Sequence, residues 1–274
     1  MIYYKSQEEI EKLRKSALLV SRTLAEVAKY IKPGESSLTL DRIAEEYIRD
    51  NGGRPAFKNY KGFPFSLCIS MNETVVHGFP STRELTETDI ISVDCGVEID
   101  GYYGDTAYTF ALAGISSDTE KLLRATKTSL YLAIEQAIAG NRIGDIGFAI
   151  QNYVERNLGH GVVRELVGHG VGRNLHEDPE VPNYGKRGSG LKLQEGLVIA
   201  IEPMVNLGVR GVVQLKDGWT INTADRKPSA HYELMLAVRK GRADVLSTFD
   251  YLEAEEEKND NLRKIEVNQE LLVS

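Results

Sequence analysis

An ionised carboxylate loses its hydration inside a buried β-strand, so acids are rare there without a reason. This 274-residue chain places four of them in strand-like apolar runs. Asp94 lies within Ile90-Ile91-Ser92-Val93-Asp94-Cys95-Gly96-Val97, and Asp105 in the strand that follows. Glu202 ends the run Leu197-Val198-Ile199-Ala200-Ile201, and Glu233 is set within His231-Tyr232-Glu233-Leu234-Met235-Leu236-Ala237-Val238. If Asp100-Gly101 closes a hairpin, Asp94 faces Ala107 and Asp105 faces Gly96. The two acids are then diagonal neighbours on one sheet face, roughly 7–8 Å apart at the backbone, unless a bulge at Tyr102-Tyr103-Gly104 shifts them. Carboxylates so placed repel unless protonated or bridged by a cation. Any one of these acids alone reads as an exposed strand residue or a paired ion. Two in each half of the chain read as a metal site.

The histidines supply a second ligand type. Five exist: His77, His160, His169, His176 and His231. His169 sits in Leu166-Val167-Gly168-His169-Gly170-Val171-Gly172-Arg173, where flanking glycines leave the imidazole unobstructed and the backbone free to bend. Four carboxylates and one imidazole form a hard, oxygen-rich set that suits two divalent ions such as Mn, Fe, Co or Zn. Two such ions, about 3.5–4 Å apart, share a water and make hydroxide near neutral pH.

The elements that must hold these residues follow from periodicity. Apolar positions Ile10, Leu13, Ala17 and Val20 predict a helix over 6–31, capped by Ser6 with Glu9 and ended by Pro33-Gly34. A second helix is predicted over 39–50, and strands over 66–70, 90–97 and 102–112. Helices over 117–139 and 144–158 come next, then strands over 196–202, 209–216, 219–222 and 229–239, with Asp217-Gly218 as a hairpin turn. Shifting the first half by 106 residues lays Gly34 on Gly140, Leu40 on Ile146, Tyr47 on Tyr153 and Gly53 on Gly159. The repeat of helix, helix, strands predicts an α+β fold of duplicated, pseudo-twofold halves, with a curved antiparallel sheet backed by helices.

Taken in order, Asp94, Asp105, His169, Glu202 and Glu233 closely resemble the metal ligands of type I methionine aminopeptidases. So do Asn72-Glu73-Thr74-Val75-Val76-His77-Gly78 and the stretch Gly168-His169-Gly170-Val171-Gly172-Arg173-Asn174-Leu175-His176-Glu177-Asp178-Pro179. The resemblance covers about residues 3–245 and implies the pita-bread fold. It implies that Asp94 binds one metal in bidentate fashion, that Asp105 and Glu233 bridge both, and that His169 and Glu202 hold the other. Glu202 would also shuttle the proton of a dimetal-bridging hydroxide that attacks the first peptide bond. His176 would steady the oxyanion and His77 would contact the substrate backbone and scissile nitrogen. Tyr60, Phe63, Cys68, Leu175 and Trp219 would form the methionine pocket, since aromatic walls suit a thioether. The implied activity removes the initiator methionine of nascent proteins and peptides ahead of a small second residue. The implied partners are nascent N-termini and the ribosome, and the implied state is a monomer.

Two positions depart from the family. Leu234 follows Glu233 where most bacterial members have histidine, and Lys61 stands at the pocket rim where many relatives carry histidine. His231, on the same strand face as Glu233, reads as an outer partner of the site or as an incidental histidine. His160 reads as structural, and Trp219 equally as structural or as pocket wall. The spacing of Gly168, Gly170 and Gly172 is not that of a phosphate loop, and neither cysteine has the context of a nucleophile. A proline-directed peptidase of the same fold usually carries a large N-terminal domain, whereas about 60 residues precede Ser66 here. A catalytically dead binding module would have lost ligands, and type II enzymes carry a long insertion between the last two glutamates, which here are 31 residues apart.

Composition bounds the rest. The net charge of −7 is concentrated after residue 249, where eight acids and three bases make −5. This excludes a global basic field for nucleic acid and leaves Lys186-Arg187 and Lys192 as a small basic loop, which reads as solvated before it reads as an RNA contact. No apolar run spans a membrane, no signal-peptide core is present, and two cysteines make no disulfide framework. The chain reads as cytoplasmic. Residues 1–249 read as a single catalytic domain and 250–274 as an acidic C-terminal extension ending in some apolar character, from Ile265 to Val273, which reads as a short helix packing back or as a contact site.

Overall fold

The computed structural model describes residues 1–271, so Leu272 and Val273 of the apolar end lie outside the described residues. The first half opens with α1 (Gln7–Ala28) and α2 (Ser37–Asp50). The α1 capping box forms as predicted: the Glu9 N–H donates to Ser6 Oγ at 3.3 Å and the Ser6 N–H to Glu9 Oε2 at 3.1 Å. Ile10, Leu13, Ala17, Val20 and Leu24 form its fully buried stripe. Strands β1 (Arg54–Pro55), β2 (Leu67–Met71), β3 (Thr74–Val76), β4 (Ile90–Ile99) and β5 (Tyr102–Ala111) follow. Asp100 and Gly101 both take positive φ, 53° and 80°, as a two-residue hairpin of type I′ needs. The β4–β5 ladder therefore runs unbroken from Ile90↔Ala111 to Ile99↔Tyr102, with no bulge at Tyr102–Gly104.

The second half repeats the order. It holds α3 (Ser117–Ile134), α4 (Ile143–Gln151), β6 (Gly161–Val162), β7 (Gly168–Gly170), β8 (Glu177–Val181) and β9 (Val198–Ile201). Next come β10 (Met204–Asn206), β11 (Val212–Gln214), β12 (Ile221–Thr223), β13 (Ser229–His231), β14 (Leu234–Ala237) and β15 (Asp244–Val245), then α5 (Asp250–Glu256). The 106-residue shift lands the start of α2, Ser37, on Ile143, the start of α4. Helix α3 stops five residues short of position 139: the Gln136 and Ala137 amides donate three residues back, to Ala133 and Ile134, in a tightened last turn, and Ala139 and Gly140 then donate to the Arg239 and Leu193 carbonyls. Trp219 and Thr220 leave the predicted strand because their N–H groups donate to Asp217 Oδ1 in the turn.

The strand predicted over 229–239 divides. β13 pairs with β10 and β14 pairs with β9, while the Glu233 N–H between them donates to the Ala107 carbonyl of β5 at 2.8 Å. Among the described residues the strands thus form four antiparallel sheets: β1-β4-β2 with β5 on β4, β13-β10-β6, β11-β12-β3 and β15-β14-β9-β7-β8. Strands of two to five residues such as β6 and β7 are too short to show a period in sequence.

One large core joins both halves, and the acidic segment belongs to it. Leu252 of α5 is fully buried, and Leu262 and Ile265 pack into the same cluster as Tyr108 and Tyr232. Glu256 Oε2 accepts from the Tyr108 hydroxyl at 2.8 Å. Lys127 Nζ lies 2.9 Å from Glu253 Oε1 and donates to the Ile265 carbonyl at 2.9 Å. Among the described residues no helix is long and apolar enough to cross a membrane.

Candidate active site

All four sheets contribute to one cavity of about 320 Å³. Asp94 and Asp105 enter from β4 and β5 in the predicted register, Asp94↔Ala107 and Gly96↔Asp105. Glu202 stands one residue beyond β9, and Glu233 in the gap between β13 and β14. His169 comes from β7, whose glycine neighbours serve close packing rather than bending. Neither has a positive φ; a side chain on Gly168 would strike the Ala200 carbonyl, and one on Gly170 the Asp178 carbonyl. The His169 ring is oriented through Nδ1, 2.9 Å from the Gly170 carbonyl, which leaves Nε2 toward the acids.

One ligand atom from each of Asp105, His169 and Glu233 lies within 4.8 Å of the others. His169 Nε2 is 3.7 Å from Asp105 Oδ2 and 3.5 Å from Glu202 Oε1. Asp94 Oδ1, Asp105 Oδ1 and Glu233 Oε1 are buried without a hydrogen-bond partner among the described residues. Burial pushes Asp94 and Glu202 up to about 7, and burial with the neighbouring carboxylates drives Asp105 and Glu233 well above the ordinary range. Orphaned oxygens and crowded acids are what a site for divalent cations requires, so the residues fit such ions.

Two further histidines line the same cavity. His77 follows β3 with a left-handed φ of 57°, a conformation costing about 1–3 kcal/mol in a non-glycine residue. Burial, with His231 nearby, lowers it to about 4. His176 hydrogen-bonds the Tyr60 hydroxyl through Nδ1 at 3.0 Å and stands 4.2 Å from the His169 ring, centroid to centroid. Burial, His169 and Lys61 lower it to about 3. Both imidazoles are therefore neutral at pH 7 and able to donate or accept.

The opposite wall is apolar. Phe63, Cys68, Leu175, Tyr60 and Trp219 belong to one cluster, with the Phe63 and Trp219 rings edge to face at 5.2 Å. Every residue singled out from sequence for metal, catalysis or pocket lines the cavity. Both cysteines are free, and burial pushes their thiols up, which disables them as nucleophiles. Phe57, Met204, Glu165 and Leu166 also line the cavity and were not anticipated. Phe57 had one signal: it fills the space that a side chain on Gly96, opposite Asp105, would take. Met204 and Leu166 carry no pattern that separates them from ordinary core. His231 proves to be 2% exposed and faces the cavity, 3.6 Å from Glu202.

Known proteins agree with this architecture. The profile of metallopeptidase family M24 matches residues 11–240. A methionine aminopeptidase from Clostridium perfringens is 49% identical over 247 residues, covering 90% of this chain and 99% of its own. The crystal structure of methionine aminopeptidase from Thermotoga maritima superposes with a TM-score of 0.88 at 41% identity, covering 90% of this chain and all of its own. That from Rickettsia prowazekii gives 0.89 at 35% identity, with the same coverage. These neighbours share the pita-bread arrangement of duplicated halves expected from the sequence. The chain belongs to metallopeptidase family M24, and within it to the methionine aminopeptidases.

Proposed function

We propose that the chain removes the N-terminal methionine from nascent proteins and peptides whose second residue is small. The observation that carries this reading is the two-ended cavity: acids with orphaned oxygens at one end, an aromatic and apolar wall at the other. Asp94, Asp105, His169, Glu202 and Glu233 would hold two divalent ions, and a set rich in carboxylates with one imidazole suits Mn, Fe, Co or Zn. Bound there, such ions would supply Lewis acidity and make water a nucleophile near neutral pH.

The chain's own groups do the rest. Phe63, Cys68, Leu175, Tyr60 and Trp219 enclose the methionine side chain and fix the first peptide bond over the acids. Glu202, which lines the cavity beside the acids, takes the proton of the attacking water and returns it to the leaving amine. His176, neutral and tethered to Tyr60, donates to the carbonyl oxygen as negative charge develops on it. His77 contacts the scissile nitrogen. The same reading takes the chain as a cytoplasmic monomer that meets its substrates at the ribosome.

Glu202→Gln tests the assignment. The variant is expected to fold and to lose turnover of a Met-Ala-Ser peptide; near-normal turnover overturns the role of Glu202. Wild-type protein is expected to cleave Met-Ala-x and to leave x-Pro dipeptides intact, and the opposite preference overturns the substrate reading. Chelation should abolish activity and Mn, Fe or Co restore it, whereas full activity in demetallated protein defeats the two-ion reading.

A further inference from the structure

His231 Nε2 is buried, faces the cavity and has no hydrogen-bond partner among the described residues. Its nearest acid oxygen is Glu202 Oε2 at 3.6 Å, while His169 Nε2 stands 3.5 Å from Glu202 Oε1. The two imidazoles thus bracket one carboxylate, each beside a different oxygen. They are not equivalent. His169 belongs to the tight group with Asp105 and Glu233, and His231 stands outside it. The His231 backbone is fixed on both sides: its N–H donates to Thr109 Oγ1 at 2.9 Å, and that hydroxyl donates to the His231 carbonyl at 2.7 Å. A third bond, with Ser92 Oγ at 2.7 Å, locks Thr109 in turn. The ring is therefore held where a shift of a few tenths of an ångström gives a hydrogen bond to Glu202.

We infer that His231 is a positioning residue that donates its Nε2–H to Glu202 Oε2 and so fixes which oxygen of Glu202 handles the proton. This rests on the role of Glu202 proposed above. Carboxylates that ligate metals are commonly held in this way by a neighbour that does not itself bind the ion, and loss of that neighbour costs about 10–100-fold.

Side-chain reach supplies the test. Glutamine carries an amide N–H as many bonds from the backbone as histidine Nε2, asparagine one bond short, and leucine none. With cobalt-loaded protein and Met-Ala-Ser, His231→Leu and His231→Asn are expected to lower kcat about 10–100-fold with KM within about twofold. His231→Gln should recover most of kcat. The visible absorption of bound cobalt should stay as in wild type for all three, since no ligand is lost. Unchanged kcat in His231→Asn overturns the inference, as does a His231→Gln variant that is as slow as His231→Asn. A shifted cobalt spectrum in His231→Gln also overturns it, by making His231 a ligand. Should His231→Leu fail to fold, the asparagine–glutamine pair still decides. If Glu202→Gln retains activity, the premise about Glu202 has failed and the inference falls with it, whatever the His231 variants do.

Discussion

The two halves deliver their acids to the same cavity by different means. In the first half, Asp94 and Asp105 ride on an unbroken ten-pair ladder closed by a two-residue turn. In the second, Glu202 follows the end of β9 and Glu233 fills the break between β13 and β14. A regular strand fixes side-chain direction by its period alone. A broken one needs help, and the first half gives it: the Glu233 N–H donates to Ala107 of β5, and His231 is tied to Thr109 of β5. The first half is a template, and the second is registered against it.

The largest test removes a carboxylate from the template. Asp105→Asn is expected to lower Met-Ala-Ser turnover by more than about a hundredfold, beyond the 10–100-fold cost of losing an outer partner. Stability of the metal-free protein should move the other way. Burial and the neighbouring acids raise Asp105 far above its unfolded value, so the folded wild type holds a proton that the unfolded chain releases as pH rises. Its stability is greatest at low pH and falls upward from about pH 4, whereas asparagine does not titrate. Urea melts of metal-free protein should show the variant gaining on wild type between pH 5 and pH 8. A gap that stays constant with pH would mean that the acids are not crowded in the folded state.

This division also explains what could be read without the structure. The β4–β5 register was legible because period-two alternation and Asp100-Gly101 fix every pair between them. The identities of Glu202 and Glu233 were legible as acids in apolar runs, but their positions at a strand end and a strand break were not. Those positions depend on a contact with Ala107 some 126 residues away, which no local pattern encodes. Phe57 and Met204 escaped notice because a loop phenylalanine and a buried methionine look the same in a core as in a pocket. The acidic segment was legible only in part: of its two readings, a short helix packing back or a contact site, the structure shows the helix packed back. Leu252, Leu262 and Ile265 lie too irregularly among glutamates to show a face, yet all are buried.

That segment tests whether the two halves need a clamp behind the site. Glu256 reaches Tyr108 of β5, and Glu253 reaches Lys127 of α3, so both halves are held from one short helix. Burial pushes Glu256 up to about 7, above its unfolded value of 4.5. A raised acid contributes its full stability below pH 4.5 and loses it as pH rises to about 7. The loss is at most about 3.5 kcal/mol, since each pH unit between the two values is worth about 1.4 kcal/mol. Glu256→Gln keeps an acceptor for the Tyr108 hydroxyl and does not titrate. Its stability relative to wild type, from urea melts, should therefore rise between pH 5 and pH 8. A flat difference would show that the clamp carries no buried proton.

The smallest effect isolates the registration itself. Thr109 Oγ1 accepts the His231 N–H, donates to the His231 carbonyl and bonds Ser92, so one hydroxyl links template and copy. Valine has the same shape without the hydroxyl. Thr109→Val leaves a buried N–H and a buried carbonyl short of a partner and is expected to cost about 1–3 kcal/mol by urea denaturation. Ser92→Ala removes only the outer bond, and its expected cost is about 0.5–1.5 kcal/mol. If the second half is registered against the first, Thr109→Val should also lower kcat while Ser92→Ala leaves it near wild type. Equal effects of the two on kcat would place the registration elsewhere, at the Glu233–Ala107 bond, which no side-chain substitution removes.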